Sequence, residues 1–243
     1  MKLLKTIIGI AALMAVVSCT KSQRDGNCQV VFEVISNTEV ADVTKSSVSE
    51  YTALPSADEF AIVVTNASGT EVWSGLISKW NPDTELPAGN YTVQASYGSI
   101  EEEGFDKPYF YGTKSFKVAE GESVTVSVPV ALSNTIIRFS CSENFKKYYR
   151  DYTFKLTRDG DVVAAFAKND TRAAFIDGYR IRVEGVLTKE SGVNEFSKEY
   201  TDLNEGTVYT MFFDVPNVAG SAITISFDNT TETVELGKIE LND

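Results

Sequence analysis

Apolar and polar residues alternate in short stretches along most of the chain. They include "QVVFEVIS" (29–36), "EFAIVVTN" (59–66), "NYTVQASY" (90–97), "SVTVSVPV" (123–130), "NTIIRFSC" (134–141), "YRIRVEGV" (179–186), "AITISFDN" (222–229) and "ETVELGKI" (232–239). They are rich in β-branched or aromatic residues and are broken by Gly, Asn and Asp, which is how strands and their turns read in sequence. Tyr91, Val93, Ala95 and Tyr97 fall on one side of their stretch, and Ile181 and Val183 do the same in theirs. This period of two marks strands with one face buried. No stretch keeps a helical period over ten residues. The nearest is "SENFKKYYRDY" (142–152), where Ser142 is placed to cap a short helical turn and Phe145, Tyr148, Tyr149 and Tyr152 form an apolar face for packing on a sheet. The pattern predicts an all-β chain.

The two halves repeat one plan. "CQVVFEVI" (28–35) aligns with "NTIIRFSC", and "EFAIVVTNASGTEV" (59–72) with "YTFKLTRDGDVV" (152–163). "LPAGNYTVQASYG" (86–98) aligns with "FIDGYRIRVEGVL" (175–187), and "FKVAEGESVTVSVPV" (116–130) with "YTDLNEGTVYTMFFDV" (200–215). The repeat predicts two tandem β-sandwich domains, 28–131 and 132–243, each long enough to bury its own core.

The first 27 residues break the alternation. Lys2 and Lys5 precede an apolar run, Ile7–Val17, that ends at Val16-Val17-Ser18-Cys19. The run is shorter than the roughly 20 apolar residues that a membrane-spanning helix needs. It has the layout of a secretory signal, 1–18. The small residue before Cys19 resembles the lipobox of bacterial lipoproteins. That resemblance implies cleavage before Cys19, lipidation of its sulfur and anchoring in the outer membrane, since several acyl chains on one residue hold firmly where one does not. Residues 19–27 then read as the lipidated cysteine and a polar tether. The expected location is the cell surface, with the periplasmic face as the alternative, because Asp25 is the single acidic residue of the tether.

Charge and composition narrow the chemistry. The chain holds 22 Lys and Arg against 34 Asp and Glu and has no histidine. Loss of Lys2 and Lys5 with the signal would leave 20 against 34. Such a balance repels nucleic acid, which is not expected as a partner. Without histidine, serine–histidine and cysteine–histidine catalysis are excluded. With Cys19 lipidated, Cys28 and Cys141 are too few for a zinc site, and the repeat places them at opposite ends of the molecule. Carboxylates are abundant, yet no spacing selects a hydrolytic pair. No enzyme activity, cofactor or metal is expected.

Several of these stretches together, above all "LPAGNYTVQASYG", "KPYFYG" (107–112) and "LSNTIIRF" (132–139) leading into "FKKYYRDY" (145–152), resemble a Bacteroidota lipoprotein family of unknown function, DUF4493. The resemblance covers most of residues 28–243 and implies an outer-membrane β-sandwich lipoprotein with no assigned site residues. The architecture is also similar to fimbrillin-like adhesins. No Arg-rich maturation site of the fimbrial-pilin kind is present, which favours a monomeric or accessory role.

Candidate sites follow from this. "SIEEEGFDKPYFYG" (99–112) is longer than a hairpin requires and carries Glu101, Glu102, Glu103 and Asp106, then Tyr109, Phe110 and Tyr111. Its carboxylates do not match a calcium-loop spacing and read as a solvated acidic turn. Its aromatics alternate, so Tyr109 and Tyr111 share one face and are candidates for stacking on a sugar. Trp73 lies in an alternating strand and reads as core. Trp80, before the loop "NPDTELPAG", reads as exposed and as a second candidate for sugar contact. The expected function is a non-enzymatic binding or adhesion module with a glycan or protein partner. The alternatives are a glycan-binding accessory lipoprotein of polysaccharide uptake and a periplasm-facing structural lipoprotein.

Overall fold

The computed structural model describes residues 29–40, 46–215, 222–227 and 230–235. The expected signal segment, Cys19, the tether and Cys28 lie outside them. Among the described residues the strands are β1 (Val30–Asn37), β2 (Glu39–Val40), β3 (Ser46–Ser47), β4 (Ala61–Asn66), β5 (Glu71–Leu76), β6 (Gly89–Tyr97), β7 (Gly104–Phe105), β8 (Phe110–Val118), β9 (Val124–Leu132), β10 (Thr135–Cys141), β11 (Asp151–Arg158), β12 (Asp161–Phe166), β13 (Ala174–Ile176), β14 (Arg180–Lys189), β15 (Gly192–Thr201), β16 (Val208–Asp214), β17 (Ala222–Phe227) and β18 (Thr230–Glu235). Among the described residues there is one α-helix, α1 (Glu143–Tyr148), and it begins at the expected cap: the Ser142 side chain accepts from the Phe145 amide at 3.0 Å. The chain is all-β, as its alternation predicts.

Three larger sheets hold all of these strands but β2 and β3, which pair with each other, in the orders β1-β9-β8-β6-β4-β5, β18-β17-β16-β10-β13-β7 and β12-β11-β14-β15. The internal repeat is visible in the pairing. β1 pairs in parallel with β9, and its counterpart β10 pairs in parallel with β16. β4 lies between β5 and β6, and β11 lies between β12 and β14. Equivalent inward positions are Phe60, Ile62 and Val64 in and beside β4, and Tyr152, Phe154 and Leu156 in β11; all six are buried.

Two hydrophobic cores result. The first is rich in valine from β1, β4, β6 and β9 and also holds Phe32, Phe60, Trp80, Tyr91 and Phe110. The second is built around a cluster of rings from Phe139, Phe145, Phe154, Phe166, Phe196 and Phe213. The sheet containing β10 and β13 serves both. Ile137, Ala174 and Ile176 belong to the second core, while Ile136, Phe175 and Val208 belong to the first. A sheet buried on both faces has no polar side to alternate with, and this accounts for the unbroken runs "TII" and "AAFI".

Candidate functional site

The 99–112 connector leads from β6 into β8, and its residues do two different jobs. Its first part reaches the second half. β7 extends the shared sheet by pairing with β13, Gly104 opposite Phe175 and Phe105 opposite Ala174. Gly104 has a φ of +126°, and a Cβ there would stand 3.1 Å from the Val163 carbonyl, so close backbone approach requires glycine. The Glu103 carboxylate accepts from Arg158 through Nε at 2.9 Å and a terminal guanidinium nitrogen at 2.7 Å, and also from the Asp177 amide at 2.7 Å. Phe105 packs edge-on against Phe166 at 4.8 Å, with the Arg172 guanidinium 3.7 Å from its ring centroid. Two further carboxylates turn to separate partners. Glu102 takes Lys107 at 3.0 Å and Asp106 accepts from the Thr52 hydroxyl at 3.1 Å. The stretch read as a solvated acidic turn is therefore in part a clasp between the halves, with Glu103 as its centre.

The second part, Tyr109–Gly112, enters β8. Phe110 is fully buried, while Tyr111 is 36% exposed and Tyr109 half-buried. The two tyrosine rings lie 6.1 Å apart on the same side of the strand. Backbone bonds fix Tyr109: its amide donates to the Asn134 side-chain oxygen, and its carbonyl accepts from the Ser133 amide at 2.8 Å. Burial raises the Tyr109 phenol above its usual pKa, with Tyr111 and Glu205 adding to the effect, so it stays a neutral donor. The Gln94 amide donates to the Tyr111 hydroxyl at 3.1 Å.

Gln94 belongs to a face that the sequence reading left out. Register sets Ser96 opposite Tyr111, Gln94 opposite Thr113, Thr92 opposite Ser115 and Asn90 opposite Lys117. Asn90, Gln94, Tyr111, Thr113, Ser115 and Lys117 are exposed, and Thr92 and Ser115 hydroxyls meet at 3.3 Å. Alternation of the two strands, applied together with their pairing, is the signal that finds it. The face offers amides, hydroxyls, a phenol and a lysine with no carboxylate, in a chain of net charge −12.

Trp80 corrects the sequence reading. It is 8% exposed rather than solvent-facing. Its indole nitrogen donates to the Val30 carbonyl at 2.7 Å, and its ring meets Phe32 at 4.9 Å and Trp73 at 5.1 Å, both edge-on. A tryptophan at the end of a loop can still turn inward when a strand end offers a carbonyl for its N–H. Held in this way, its ring faces are taken up by protein. Trp73, expected as core, is half-buried beside it. Tyr148 is half-buried, while Phe145, Tyr149 and Tyr152 sit in the second core, Tyr152 on β11 rather than on the helix. Cys141 is a free thiol. Burial pushes its pKa up to about 11, which holds it protonated and unreactive.

Among curated proteins none matches the chain. Solved structures match the chain at low identity. A candidate polysaccharide-binding protein from Bacteroides thetaiotaomicron has 12% identity over 85% of this chain and 98% of its own, with a TM-score of 0.49. A fimbrial assembly protein from Parabacteroides distasonis has 9% identity over 86% and 97%, with a TM-score of 0.48. A candidate cell adhesion protein from Bacteroides ovatus has 14% identity over 88% and 99%, with a TM-score of 0.45. At such identities and scores these likenesses say nothing about a ligand. Residues 27–242 match the family described as a domain of unknown function, DUF4493, and the chain belongs to that family.

Proposed function

We propose that the protein is a non-enzymatic binding module, anchored in the outer membrane through lipid on Cys19 and facing the cell surface. In this reading residues 28–131 and 132–243 are two tandem sandwich domains, and the outer face of β6 and β8 makes contact with a neutral glycan. The observation that carries the reading is that face. Tyr111, beside the half-buried Tyr109, offers an aromatic ring on which a pyranose can lie, and Gln94, Ser96 and Thr113 surround it with neutral donors and acceptors. Sugar recognition needs this pairing of an apolar platform with a few placed polar groups. Trp80, being buried, has no part in it.

The test is a glycan array probed with the mature chain and with Tyr111→Ala and Trp80→Phe. The wild type and Trp80→Phe bind the same glycan and Tyr111→Ala loses it. Absence of any glycan binding, or unchanged binding by Tyr111→Ala, removes the reading. The periplasm-facing structural alternative is favoured by the single acidic residue, Asp25, in the tether. Proteinase K treatment of intact cells separates the two: digestion with an intact periplasmic control fits the surface reading, and protection until lysis fits the other.

A further inference from the structure

An open cleft of about 460 Å³ lies between the C-terminal end of α1 and the tip of the β14–β15 hairpin. Lys147 and Arg150 come from the helix side and Lys189 from the hairpin, with Tyr148, Asn144 and Ser191 between them; Glu190 is the one acidic residue of the lining. The basic side chains here behave unlike many of the others. Lys107, Lys146, Arg158, Arg172, Arg180 and Arg182 each pair with a carboxylate. Among the described residues Lys147, Arg150 and Lys189 pair with none.

Lys189 is the telling member. It is only 8% exposed, yet its ammonium reaches just the Tyr148 hydroxyl at 3.5 Å and lies 5.5 Å from that ring's centroid. Burying a lysine with no counter-charge costs stability. A six-residue helix explains a cation in its last turn, but that local preference does not extend to Arg150 or to Lys189 on a different element.

We propose that this cleft is a second binding site, separate from the β6–β8 face, and that it takes an acidic saccharide bearing carboxylate or sulfate groups. The three cations supply the anion's partners. Tyr148, Asn144 and Ser191 supply an aromatic edge and neutral hydrogen-bonding groups for the sugar hydroxyls. An anionic membrane surface would offer similar charges, but it is flat where the cleft is concave.

The experiment is a calorimetric titration of the mature chain. The probes are a sulfated chondroitin hexasaccharide, a galacturonate hexasaccharide, a neutral dextrin of equal length, and vesicles of phosphatidylglycerol in phosphatidylcholine. Both acidic oligosaccharides bind, the dextrin does not, and affinity falls as salt screens the charges. Lys147→Gln and Arg150→Gln, both at exposed positions, each weaken binding roughly tenfold, and the double variant weakens it further. Lys189→Met abolishes binding while raising the midpoint of urea unfolding, because it removes a buried charge that only the ligand compensates. Binding of neither acidic oligosaccharide, binding to vesicles alone, or wild-type affinity in the Lys147→Gln/Arg150→Gln double variant overturns the proposal. Because the mutated residues do not touch the β6–β8 face, failure here leaves the neutral-glycan reading standing, and the reverse.

Discussion

The two halves share a strand plan and fill it differently. In the first half the two layers are joined by backbone pairing at one corner, where Phe110 and Tyr111 of β8 meet Leu132 and Ala131 of β9. Gly112 permits that corner, since a Cβ there would overlap the Pro129 carbonyl. Its core is then lined mainly by valines, with Phe32, Phe60, Trp80, Tyr91, Phe110 and Phe175 among them. In the second half β15 and β16 belong to separate sheets among the described residues. Stacked rings span the gap instead: Phe154 lies 4.3 Å from Phe213 and 4.8 Å from Phe139. One topology can thus be closed by ladder hydrogen bonds or by large side chains bridging the layers.

That contrast can be broken most directly at equivalent core positions. Phe154→Ala is expected to cost about 4 kcal/mol, read as a fall in urea midpoint, because it leaves a cavity at the centre of the ring cluster. Ile62→Ala, at the matching place in β4, is expected to cost about 3 kcal/mol. If Ile62 proves the more costly, the second half does not depend on its rings as described.

Between the halves, Glu103→Gln is expected to cost roughly 2 kcal/mol, since it weakens a bidentate, partly buried pair and leaves Arg158 short of a charge partner. A double-mutant cycle with Arg158→Gln checks the assignment, and a coupling near zero would show that the two side chains do not depend on each other. Trp80→Phe keeps the ring packing but loses the bond to the Val30 carbonyl, for an expected loss of about 1 kcal/mol in the same assay.

The last prediction is confined to alkaline conditions. Burial raises Cys141 from 9.0 to about 11, and Tyr149 and Tyr152 from 10.0 to about 12. The folded chain keeps these protons where the unfolded chain releases them. Stability from this source is therefore whole below about pH 9 and declines as pH rises toward 12. Tyr149→Phe should flatten part of that decline in unfolding free energies measured against pH; an unchanged slope would show that Tyr149 does not contribute.

Alternation made the strands legible because each pays off locally: a one-residue slip would move Tyr91, Val93 and Ala95 to the solvent face. The cap at Ser142 was legible for the same local reason. The repeat was legible from its turns. What stayed hidden depends on which distant groups meet. Nothing near Glu103 in sequence announces Arg158, 55 residues away, or the Asp177 amide. Nothing in "SKWNPD" tells that Trp80 finds the Val30 carbonyl, 50 residues back. The doubly buried sheet was the intermediate case. "TIIRF" and "AAFI" carry too many adjacent apolar residues for a one-sided strand, and that excess is the mark of a layer shared by two cores.

The acidic connector joins the two halves through the shared sheet, and Glu103 is the centre of that junction. Amide hydrogen exchange on Glu103→Gln tests it. The variant should exchange faster at residues 102–106 and, in step with them, at 173–177, with β4 and β6 unchanged. Faster exchange in the connector alone, with 173–177 as protected as in the wild type, would contradict it.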